Sequence, residues 1–146
     1  MTTLIIGGTG NTGLALAKLL HAADHSIVLA SRSGNAPEPF TGKGVKFDWV
    51  DASTHENPFK VSSDIDRVFM ILPLTVTLDD ATQTIAFVDL AKAKGVNKFV
   101  LLSGTGVSKG AYLHGKLWAY LDHIGVEYTI LRPTAFQGAS VFNVIT

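Results

Sequence analysis

The run Gly7-Gly8-Thr9-Gly10-Asn11-Thr12-Gly13 sets three glycines at the spacing Gly7-x-x-Gly10-x-x-Gly13. It stands between a short β-rich stretch and a stretch of helical period. Small residues at this spacing suit a loop that holds phosphate. Gly7 can make the tight turn out of a strand, Gly10 lets a pyrophosphate approach the backbone, and Gly13 lets the helix lie close to the sheet. The amides at the helix start, around Asn11 and Thr12, then face the phosphates, and the macrodipole favours the negative charge. Thr9 completes the loop. The alternative reading is a tight turn and nothing more. The loop lacks the Gly-Lys-Ser/Thr ending of a nucleoside-triphosphate loop, so ATP and GTP are not expected.

The next chemical signal follows the second apolar run, at Ala30-Ser31-Arg32-Ser33-Gly34-Asn35. A fold that prefers NAD places Asp or Glu there, against the ribose 2′-hydroxyl. No acid follows the run until Glu38. A carboxylate would repel a 2′-phosphate, whereas Arg32 can grip it with a planar fork of donors, with Ser31 and Ser33 adding hydroxyls. The residues therefore predict NADP (NADPH) over NAD. The alternative for Arg32 is an exposed turn arginine.

These residues need elements to position them. Strands are expected at 3–6, 26–30, 45–48, 66–72, 98–102 and 127–131, the fourth and sixth closed by Pro73 and Pro133. Helices are expected at 12–23, from Asp79 or Asp80 to about Lys94, and at 111–123, with Gly95 and Gly125 as stops. Several strands are continuous apolar runs, as in parallel sheets covered on both faces. Right-handed crossovers between them give an α/β doubly wound parallel sheet, a Rossmann fold, with six strands in the order 3-2-1-4-5-6.

Together, the glycine loop, Ser31-Arg32-Ser33, Asp48-Trp49-Val50-Asp51, Val100-Leu101-Leu102-Ser103 and Tyr128-Thr129-Ile130-Leu131-Arg132-Pro133-Thr134-x-Phe136 resemble the NmrA-like branch of the atypical short-chain dehydrogenase/reductases. That branch includes NAD(P)H quinone reductases, isoflavone-reductase-type enzymes, festuclavine/agroclavine-type dehydrogenases and redox sensors that bind the cofactor without turning it over. The resemblance implies that Asp51 contacts the adenine, a turn cap being the other reading. It also implies that Leu72 and Pro73 run under the cofactor ribose.

Reductases of the wider superfamily use a Tyr, a Lys four residues later on the same helix face, and a Ser at the end of the preceding strand. The resemblance thus points to Tyr112, Lys116 and Ser103 as catalytic. The alternatives are a surface tyrosine at a helix start and a solvated lysine. The implied activity is hydride transfer to a small organic acceptor: a quinone, an enone, an imine or an iminium. A non-catalytic sensor and a pseudoenzyme are the competing readings.

Composition bounds the rest. The chain has 146 residues, 12 Lys+Arg against 12 Asp+Glu, 47% hydrophobic and 16% charged residues, and no Cys. That excludes intrinsic disorder. With no basic stripe, no nucleic-acid partner is expected, and without Cys neither disulfides nor thiolate catalysis are. His21 and His25 straddle a helix end without a His-Glu-x-x-His pattern, so no metal is expected. His114 lies inside the Tyr112-to-Lys116 stretch, within reach of substrate or exposed. Apolar runs of about five residues fall short of the roughly 18 of a membrane span. With no signal peptide read at the N-terminus, the expected location is cytoplasmic.

Residues 1–136 are expected to form the NAD(P)-binding domain and 137–146 a short apolar tail. The family's C-terminal substrate region is expected to be missing. The tail residues Val141, Phe142, Val144 and Ile145 need burial against the domain or a second chain, which predicts a homo-oligomer.

Overall fold

The computed structural model describes residues 1–72 and 81–133, and the backbone of 142–145. Seven strands form one sheet: β1 (Thr2–Ile6), β2 (Ser26–Ser31), β3 (Gly44–Lys46), β4 (Ile65–Ile71), β5 (Lys98–Leu102), β6 (Glu127–Pro133) and β7 (Phe142–Ile145). Their order is β3-β2-β1-β4-β5-β6-β7. The first six are parallel, in the expected order 3-2-1-4-5-6. The seventh, within the stretch read as a tail, runs antiparallel along β6, with Leu131 opposite Val144.

The helices are α1 (Asn11–Ala22), α2 (Asn57–Val61), α3 (Thr82–Ala93) and α4 (Tyr112–His123). The apolar runs become strands because both faces of the sheet are covered. In β1, Leu4 and Ile6 enter one core with Phe87, Leu117 and Leu121. Ile5, between them, enters the other core with Ala17 of α1 and Phe40. All three β1 side chains are buried. The same alternation divides Val28 from Leu29 and Met70 from Phe69.

Several boundaries differ from expectation for local reasons. β3 stops at Lys46 because the chain turns away: Asp48 bridges to Asp51, and Asp51 caps a 3-10 turn (Ala52–Thr54). Helix α2, five residues long with a proline in its first turn, is too short to show a period. β6 runs to Pro133, which pairs with Phe142; the ring lacks a donor but its φ suits an extended residue. Asp79, Asp80, Phe136 and the side chains of the apolar tail lie outside the described residues. Among the described residues, no helix is long and apolar enough to cross a membrane.

Candidate functional site

The glycine loop joins β1 to α1 at the carboxyl edge of the sheet, where open α/β sheets bind ligands. Gly7 has φ +83°, a left-handed conformation that favours glycine. A Cβ on Gly13 would stand 2.3 Å from the Gly7 carbonyl oxygen and 2.7 Å from Gly8 Cα. Any side chain there would force α1 off the loop. Gly10 differs. Its backbone is ordinary, φ −77° and ψ 174°, and among the described residues a Cβ on it would meet nothing nearer than 3.5 Å. Neither packing nor backbone strain requires glycine at this position. What remains is the space beside it, which opens on a cavity. Gly10 also caps α1 without a side-chain bond, and no acid stands in the first turn. The helix start is therefore left for an anionic group.

That cavity, of about 360 Å³, is lined by Gly7, Thr9 and Gly10 on one side and by Ser31 and Arg32 on another. Asp48, Trp49 and Val50 complete it, with Ile71 at its far wall. The Ser31–Asn35 turn is locally determined. Ser31 Oγ accepts from Gly34 N at 3.2 Å and Ser33 Oγ from Asn35 N at 3.2 Å. Gly34 has φ +78°, and Gly44 lies so close that a Cβ would approach the Gly34 carbonyl to 2.5 Å. The turn thus holds Arg32 at the cavity rim, exposed and without an ion pair among the described residues.

The opposite wall is fixed by aromatic packing. Phe47 stacks on His55 at 4.9 Å, and Trp49 and Phe87 meet edge to face. His55 Nε2 donates to the Asp48 carbonyl at 3.0 Å, and Trp49 Nε1 donates to the Ile71 carbonyl at 3.1 Å. Asp51 is turned to another task. Its Oδ1 accepts from Ser53 N at 3.1 Å and Ser53 Oγ at 2.6 Å, which holds its carboxyl below the usual aspartate pKa. Its neighbours Asp48, Trp49 and Val50, not Asp51, line the cavity.

A second cavity, of about 350 Å³, opens at the ends of β4 and β5. Ile71 belongs to both cavities. Leu72, Thr12, Leu102, Ser103, Val107 and His114 line the second. Ser103 is pinned by its N–H to the Leu131 carbonyl at 2.8 Å, while its Oγ is buried without a partner. His114 is half-buried, and desolvation pushes its pKa below the usual histidine value.

The residues expected to act from α4 stand elsewhere. Tyr112 is 78% exposed and has φ +54°, and Lys116 is exposed; neither is among the described residues lining these two cavities. Asn11, Gly13 and Ser33 shape the loops and are not among the described residues lining these two cavities. Pro73 lies outside the described residues.

The loop after β5 is held from β6. Arg132 Nη2 donates to the carbonyls of Thr105 at 2.7 Å and Val107 at 3.2 Å. Its guanidinium also lies 5.8 Å from the centre of the Trp118 ring. Sequence reading marked Arg132 only as part of a motif; nothing in its position told of these carbonyls.

Comparisons with known proteins bear on the family and the fold. A family model described as NAD(P)H-binding matches residues 7–140. Festuclavine synthase II of Penicillium roqueforti is 40% identical over 143 residues, spanning 94% of this chain and 48% of that protein. Agroclavine dehydrogenase of Claviceps fusiformis is 40% identical over 140 residues, spanning 94% and 47%. The chain spans about half the length of the curated relatives it matches. Among solved structures, a short-chain dehydrogenase/reductase superfamily protein from Agrobacterium tumefaciens with bound NAD superposes with a TM-score of 0.66 at 17% identity, over 90% of this chain and 48% of that one. Epimerase Mth375 of Methanothermobacter thermautotrophicus does so with a TM-score of 0.67 at 18% identity, over 90% and 50%. These two likenesses concern the fold. On the match across residues 7–140, the chain belongs to the NAD(P)H-binding family.

Proposed function

We propose that the chain is the cofactor-binding part of an NmrA-like, NADP(H)-dependent oxidoreductase acting on a small organic acceptor, in kinship with the clavine dehydrogenases. Gly10 carries the reading. Its lack of a side chain serves no contact within the fold, yet it borders the cavity that Arg32 closes. The residues fit a dinucleotide phosphate: a tight loop, an uncapped helix start, and a cation where an NAD-preferring fold would carry an acid.

In this reading Gly7, Thr9, Gly10 and the amides of Asn11, Thr12 and Gly13 hold the pyrophosphate. Ser31, Arg32 and Ser33 take the 2′-phosphate, the Asp48-to-Asp51 segment the adenine, and Leu72 and Pro73 the ribose. The dihydronicotinamide supplies hydride when bound. Ser103 binds the acceptor's polar atom, with Tyr112 and Lys116 as the helix pair implied by resemblance.

The exposed, left-handed Tyr112 favours a second reading. A protein that senses the NADP pool needs the cofactor cavity but no proton donor beside the nicotinamide.

Titration of NADPH and NADH against wild type and Arg32→Ala tests the cofactor assignment. NADPH affinity is expected to fall by about tenfold or more, the worth of a charge-assisted contact, with NADH little changed. Equal losses for both would overturn it. NADPH binding without oxidation across a quinone panel would favour the sensor.

A further inference from the structure

Among the described residues, three polar side chains line the second cavity; Thr12 belongs to the loop given above to the pyrophosphate, which leaves Ser103 and His114. Ser103 Oγ is buried and unpartnered. Such a group costs roughly 1–3 kcal/mol when nothing satisfies it, so a partner is expected from an occupant of the cavity that Ser103 lines. His114, on α4, lines the same cavity. The remaining walls are largely apolar, with Ile71, Leu72, Leu102 and Val107. No charged side chain is among the described residues lining it.

Helix geometry decides which α4 residues can face it. Successive helical residues turn by about 100°, so His114 and Lys116 point about 200° apart, while Tyr112, left-handed at the helix start, stands outside that period. The exposure of Lys116 and the half-burial of His114 agree with that division. With His114 toward this cavity, the Lys116 position on α4 faces away from it.

We propose that His114 is the second polar group of the acceptor site, and that it and Ser103 donate hydrogen bonds to the carbonyl oxygen of a small uncharged ring compound, a quinone or an enone. The inference rests on the NADP(H)-dependent reductase reading above. A largely apolar cavity with two such donors in its lining suits a ring that buries its carbon face and offers one oxygen. A charged acceptor would lose its hydration with no counter-ion among the described residues of the lining to replace it. Desolvation keeps the imidazole neutral near pH 7, so it offers one N–H and repels no cation.

The experiment uses duroquinone, a fully substituted and unreactive ring, as the probe. Its binding to the NADP⁺-loaded chain is measured by calorimetry, and the His114 imidazole is followed by ¹⁵N NMR. NADPH affinity is measured in parallel for every variant. Ser103→Ala and His114→Phe are expected to weaken duroquinone by roughly three- to tenfold each, as loss of one hydrogen bond implies, while NADPH affinity holds. His114→Gln, which keeps a donor, should recover part of the loss, and His123→Gln should change nothing. Duroquinone should shift the His114 nitrogens of wild type. Undiminished duroquinone binding by His114→Phe, or unshifted His114 nitrogens, would overturn the inference and leave the cofactor reading standing. A wild-type chain that binds no NADPH would overturn both.

Discussion

Arg132, near the end of β6, donates from Nη2 to the Thr105 carbonyl at 2.7 Å. One side chain thereby ties the loop after β5 to the neighbouring strand, and that loop carries Gly104 and Val107 into the second cavity. Backbone carbonyls receive the guanidinium here, so its contribution depends on the fork as well as the charge. Arg132→Gln is expected to lower stability by about 2 kcal/mol, the range of hydrogen bonds to a charged group. Faster amide exchange over residues 104–110, with NADPH affinity unchanged, is the accompanying sign. Arg132→Lys should restore only part of the stability.

Gly10 and Gly13 are separated by three residues and by opposite demands. Gly10→Asp supplies a preferred helix cap, so the thermal midpoint should hold or rise. Its carboxylate would meet the phosphate, so NADPH affinity should fall at least about tenfold. Gly13→Ala drives a methyl into the Gly7 carbonyl. It should destabilise the chain by on the order of 3 kcal/mol, the upper range for overpacking, measured by urea unfolding. If Gly10→Asp unfolds the chain instead, the glycine serves the fold after all.

Gly115 offers a parallel case on α4. A Cβ there would stand 2.2 Å from the Ser108 carbonyl oxygen, and its own carbonyl accepts from Gly110 N at 2.8 Å. Gly115→Ala should push the loop off the helix. The expected readout is weaker duroquinone binding at unchanged NADPH affinity, together with a lower unfolding midpoint.

Asp64 gathers Ser62 Oγ at 2.6 Å, Thr2 Oγ1 at 2.8 Å and the terminal ammonium at 3.1 Å. These hydrogen bonds hold its carboxyl well below the ordinary aspartate pKa, the Ser62 bond contributing most. A depressed folded pKa means that the contribution is present above the unfolded value, about 3.9, and is lost as pH falls through the folded one. Asp64→Asn should therefore lower the thermal midpoint at pH 7 and flatten its fall below about pH 4. Parallel curves for the two proteins between pH 5 and 2 would remove Asp64 from the acid limb.

Periodicity revealed most of the fold. Leu4-Ile5-Ile6 and Phe69-Met70 read as strands because each neighbour enters a different core, which leaves no polar position in the run. The short α2 and the Asp48–Asp51 bridge arise from local hydrogen bonds over a few residues, below any period. The glycine spacing was legible, and it gave Gly10 and Gly13 different tasks, but it could not say how tightly each is packed. That needs the distances a Cβ would meet. Tyr112 and Lys116 matched a pattern by spacing, while the direction of α4 is set by Leu117 and Leu121, both buried in the core. Those two leucines orient the helix and, with it, His114.

Ile71 closes both cavities, its carbonyl held by Trp49 and its Cβ 3.0 Å from where a Gly7 side chain would begin. A wall common to two chambers links their occupancies wherever an occupant of one displaces it. Whatever factor an occupant of one chamber gains by shifting Ile71 is returned, equal in size, to the occupant of the other.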